Sequence, residues 1–106
     1  MSDRARAWLA MRAGAVPPVL EARMERAMDD VLDDDVVARA LADAARSCLL
    51  AAVHSGDDRA AALHLLAADA LITYACEAAA GDADCIDTLA DHSGAERLSP
   101  LREGPA

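Results

Sequence analysis

Apolar residues recur along this chain at helical intervals, and the polar residues between them gather on faces instead of alternating. From Pro17 and Pro18 onward, Leu20, Met24, Ala27 and Val31 follow at spacings of four, three and four. That is one narrow apolar stripe of an α-helix, and paired prolines suit a helix's first turn. Glu21, Arg23, Glu25 and Arg26 fall off the stripe. Upstream, Ser2 is placed to cap a short first helix over about Asp3 to Ala13, which Gly14 stops. Downstream, a third helix is predicted from about Asp35 to His54. Val37, Leu41, Ala44, Cys48 and Ala51 form its core stripe, with Arg39, Asp43, Arg46 and Ser47 opposite. Gly56 is placed to end this helix in the left-handed conformation that helix termini favour.

The segment Ser55 to Gly81 predicts the longest helix. Ser55 stands three residues before Asp58, close to a capping box with Asp in place of Glu. At helical pitch Asp58, Arg59, Asp69, Thr73 and Glu77 gather within an arc of about 100°. The remaining surface is apolar apart from His64, which falls in the middle of the most apolar face. A helix so widely apolar is expected to be enclosed by the others. A last short helix is predicted over about Ala83 to Asp91, carrying Ile86, Leu89 and Ala90 and ending at Gly94. The organisation is therefore one domain over residues 1–94 and a flexible polar tail over 95–106, which holds two Pro and one Gly.

These elements define an all-α fold: a small, Ala-rich antiparallel bundle of four to five helices. Composition changes the picture in one respect. Of 106 residues 28 are Ala, against one Trp, one Tyr and no Phe. Alanine favours helix and lets helices approach closely, but it buries little area. A thin core beside a surplus of apolar helix surface predicts that the chain recovers burial by pairing with itself or with a partner protein, most simply as a homodimer.

Charge narrows the function classes. The net charge of −9 is uneven: residues 1–26 carry about +2 and residues 27–106 about −11. An acidic body without aromatic platforms argues against nucleic-acid binding. The uncharged run Ala70 to Cys76 of the apolar helix is too short to span a bilayer, and the first residues lack a secretory apolar segment. No membrane association and a cytoplasmic location are expected. Three Cys at irregular spacing predict reduced thiols. The chain has no Lys, which removes Schiff-base and P-loop chemistry.

One constellation could carry chemistry. Cys48 lies eight residues before Gly56 and His64 eight after it. In a helical hairpin turning at Gly56 the two reach the same level on inward faces. A thiol beside an imidazole can form an activated nucleophile or supply two soft ligands to a metal or haem. The plainer reading is a buried Cys acting as a small hydrophobe and a His held in core or interface. Other patterns point to no site. Asp29, Asp30, Asp33, Asp34 and Asp35 lack the alternation, Gly and Glu of an EF-hand. Cys76 and Cys85, nine apart, do not match zinc spacing. Asp69, Thr73 and Glu77 read as a solvated stripe, since no Glu-x-x-His accompanies them. Trp8, flanked by Arg4, Arg6 and Arg12, reads as a docking anchor for the first helix. The sequence thus predicts a non-catalytic helical interaction or accessory module that self-associates, with no cofactor and no metal. The alternative is a metal-, haem- or redox-active bundle centred on Cys48 and His64.

Overall fold

A computed structural model describes residues 3–12, 14, 16–31 and 36–80. Among them are four α-helices and no strand: α1 (Asp3–Arg12), α2 (Pro18–Asp29), α3 (Val37–His54) and α4 (Asp58–Ala79). The chain is all-α, as its periodicity predicts. The expected helix over 83–91, the tail over 95–106, the Ser2 cap and the acidic run 33–35 lie outside the described residues.

α3 and α4 make the dominant contact, and α2 packs across both. α1 also lies on α3, so α3 packs against all three others. Its first half explains this. Ala38, Ala40, Leu41, Ala42, Ala44 and Ala45 are all buried, which no single stripe would give. With methyl groups on several sides, neighbouring backbones can come close around it. The central helix is therefore α3. The expectation that Ser55–Gly81 is the enclosed helix is overturned: Leu65, Leu66 and Ile72 of α4 are exposed. Alanine and leucine count alike in a periodicity argument, yet only the alanine-rich surface admits neighbours on several sides.

The centre of the core is small and specific. Met28, Leu41, Cys48 and Leu71 are its largest fully buried side chains, drawn from α2, α3 and α4. On α2, Met24 and Ala27 are buried as the stripe predicts, with Met28 beside them and Leu20 packed against the edge; Val31, two residues past the end of the helix, is buried as well. α1 contributes Ala5 and Leu9. It is pinned further by an edge-to-face pair of Trp8 with Tyr74, centroids 6.4 Å apart at 76°. The Arg12 guanidinium lies 5.4 Å from the Trp8 ring centre and pairs with Glu77 at 3.7 Å. Arg6 pairs with Asp29 of α2. Trp8 thus docks the first helix onto its own chain.

The turn between α3 and α4 corrects two readings. Neither Gly14 nor Gly56 has positive φ. The chain leaves α3 through an extended Ser55, φ −76° and ψ 134°. The cap of α4 is Asp57, whose carboxylate accepts from the Arg59 amide at 2.9 Å. Ser55 instead accepts from the Asp57 amide at 3.2 Å, setting up the residue that caps. No capping box with Asp58 forms. A Cβ added at Gly56 would meet nothing within 4 Å. Gly56→Ala should therefore raise stability by about 0.4–1 kcal/mol, by restricting the unfolded chain. A urea titration of both proteins checks this; a lower midpoint for the variant would restore the left-handed reading.

α4 has the length and apolar composition of a bilayer-crossing helix, so the short uncharged run does not by itself exclude one. Its middle, however, holds exposed Asp69, which at a bilayer centre costs about 2.5–3.5 kcal/mol. The Trp8–Tyr74 and Arg12–Glu77 contacts tie the same helix to α1.

Candidate functional site

The predicted site residues stand on neighbouring helices, and a third residue joins them. Cys48 is fully buried on α3. His64 is half-buried on α4, in register with buried Ala67, Ala68 and Leu71 of the apolar face. Arg23 of α2 donates from Nε to His64 Nδ1 at 2.7 Å. The same guanidinium acts electrostatically on Cys48. Arg23 and His64 are thus joined across α2 and α4, and the charge of Arg23 is felt at Cys48 on α3.

Arg23 was set aside in the sequence because it falls off the α2 stripe. One signal pointed to it: Arg23 stands four residues before Ala27, on the stripe's flank. From a flank, a long aliphatic stem can lie along apolar surface and carry its charge to a polar partner.

The chemistry of the cluster follows from the hydrogen bond. Arg23 is always a donor, so His64 Nδ1 must be the acceptor and the neutral imidazole carries its proton on Nε2. Burial, helped by the Arg23 charge, lowers the His64 pKa below its ordinary value. Burial also raises the Cys48 thiol, and the nearby Arg23 charge offsets this only in part. The group is thus a neutral imidazole, a protonated thiol and a guanidinium. An activated thiolate needs the reverse, an imidazolium stabilising a depressed thiol.

This bond carries a pH dependence. Folding prefers neutral His64, so its contribution is whole above about pH 6.5 and is lost as pH falls through the lower folded-state value. The urea midpoint should drop as the pH falls below about 6.5, where the unfolded-state imidazole takes up its proton first. His64→Gln keeps an acceptor for Arg23 without titrating, so its midpoint should fall less. Equal slopes for the two proteins would contradict the assignment.

The remaining candidates are dispersed. His54 is exposed at the end of α3 and Cys76 is exposed on α4, while Cys85 and His92 lie outside the described residues. Thr73 donates to the Asp69 carbonyl one turn back at 2.8 Å, and Glu77 is taken by Arg12. Among the described residues no three His, Cys, Asp or Glu side chains are grouped as a metal would require. A cleft of about 140 Å³ between α1 and α2 is lined by Arg6, Leu9, Val16, Glu21, Met24 and Met28, among others. Neither Cys48 nor His64 lines it, and it is smaller than ordinary ligand pockets of about 300–1,000 Å³.

The most distinctive surface is the outer strip of α4. Leu65 is 51% exposed, Leu66 57% and Ile72 37%. Exposed Asp58, Ala62, Leu65, Asp69, Ile72 and Cys76 follow at spacings of four, three, four, three and four. That is the spacing of a helix-pairing seam. The seam overlaps one edge of the arc read in the sequence as polar. Counting its charges concealed the leucines between them, and the exposed arc is about 140° wide once they are included.

No protein-family model matches the chain, and no curated protein or solved structure shows a significant match to it.

Proposed function

We propose that the chain is a non-catalytic helical-bundle interaction module that self-associates as a homodimer through the outer strip of α4, and that it acts in the cytoplasm. The observation that carries this reading is the exposure of Leu65 and Ile72 at pairing spacing on one helix, with Leu66 exposed beside Leu65. Scattered exposed apolar residues are ordinary, but a contiguous row along a helix is the signature of a partner. The thin alanine core supports it further, because pairing adds the burial that the single chain lacks.

The rival reading, a metal-, haem- or redox-active centre at Cys48 and His64, meets two obstacles. Nδ1 of His64 is taken by a cationic donor. Cys48 is sealed from solvent, and burial raises its thiol pKa.

Self-association makes stability depend on protein concentration. The urea midpoint of the full chain should rise between about 1 and 100 μM, since each tenfold change in partner concentration is worth about 1.4 kcal/mol of association free energy. A midpoint that stays constant across that range would refute the proposal.

A further inference from the structure

The N-terminal helix is held less firmly than the rest of the bundle. α1 has 10 residues, fewer than the about 12–15 at which a helix persists alone in water, so its helicity depends on docking. It buries only Ala5 and Leu9 completely, against seven residues of α3, and Met11 is exposed. Its packing falls on α3, while a cleft of about 140 Å³ lies between it and α2. Further contacts are the Trp8–Tyr74 ring pair, the Arg12 guanidinium over Trp8, and the ion pairs Arg6–Asp29 and Arg12–Glu77. The four side chains of those ion pairs are between 35% and 55% exposed, so salt screens them.

Overall charge acts in the same sense. Residues 3–12 carry three Arg and one Asp, +2 in a chain of net −9, so the remaining residues carry −11. A basic helix on an acidic body is attracted to it as a whole, and salt weakens that attraction. Within the acidic body salt works the other way, because it relieves the repulsion among like charges. Rising ionic strength thus loosens α1 and firms the helices beneath it. We propose that α1 is a salt-sensitive strap, which undocks as a unit while α2, α3 and α4 stay folded. Undocking frees Tyr74 of α4 and uncovers the surface of α3 on which α1 lies. Tyr74 stands about 140° round α4 from Asp69, so the surface that opens is separate from the outer strip. The strap is therefore independent of self-association.

Trp8, the only Trp of the chain, reports on α1, while far-UV circular dichroism is dominated by the other three helices. Urea titrations of the full chain are followed by both signals at about 1 μM protein, in about 0.02 M and about 0.5 M sodium chloride. The Trp8 midpoint should lie below the dichroism midpoint. Added salt should lower the Trp8 midpoint and leave the dichroism midpoint unchanged or higher. Arg6→Gln combined with Arg12→Gln removes both ion pairs. In that variant the Trp8 midpoint should already be reduced at low salt, with the dichroism midpoint unchanged. Coincident midpoints at both salt concentrations, or a Trp8 midpoint that rises with salt, overturn the strap. So does a double variant in which both midpoints fall together, since α1 would then not be a separate unit. A Trp8 midpoint in the double variant equal to that of wild type at low salt overturns the electrostatic hold.

Discussion

Leu71→Ala should cost about 2–5 kcal/mol, the range for removing a fully buried leucine where the site cannot collapse. Leu71 is one of the four largest fully buried side chains, and it lies on the face of α4 that meets α3 and α2. Its neighbourhood has little slack. The surrounding core is mainly alanine, whose methyl groups have no alternative rotamers with which to fill a void. For a chain of this size that loss is a large share of the usual 5–15 kcal/mol of total stability. The variant's urea midpoint should fall accordingly, with partial unfolding at room temperature. A loss below about 1 kcal/mol would mean that Leu71 is not at the centre of the core.

The second large effect falls on assembly. Replacing Leu65 and Leu66 together by Glu should abolish self-association, since the change removes two of the largest side chains of the seam and adds four like charges per dimer. The two side chains are 51% and 57% exposed, so the isolated chain should keep its helicity and its fold at low concentration. Light scattering coupled to size exclusion reads the mass, and circular dichroism reads the helices. If the variant keeps the wild-type mass at every concentration, the outer strip of α4 is not the interface.

The helices were legible in the sequence because their determinants are local. Pro17 and Pro18 precede α2, and apolar intervals of three and four trace α2 and α3. The acidic pair Asp57 and Asp58 marks the start of α4, although which residue caps was misjudged. The capping carboxylate depends on backbone dihedrals at Ser55 that spacing does not encode. The identity of the central helix was not legible. Periodicity counts Ala44 and Leu65 alike, while packing distinguishes them by size, so α3 is surrounded and α4 keeps leucines in solvent. Cys48 is buried on its apolar stripe, while His64 on its own stripe is only half-buried. Arg23 could not be chosen as their companion, because its link to His64 spans 41 residues and depends on how α2 crosses α4. The Arg6–Asp29 pair between α1 and α2 escaped for the same reason.

The Arg23–His64 pair consequently reads as a polar link between α2 and α4 and Cys48 as a buried core residue, and the functional weight moves to the outside of α4. The most direct test of that shift is native mass spectrometry of the untagged full chain at about 10 μM, a level at which a specific dimer of ordinary affinity is populated. The account predicts a principal species at twice the 11.0 kDa chain mass, with no added mass. A principal species at 11.0 kDa would contradict it.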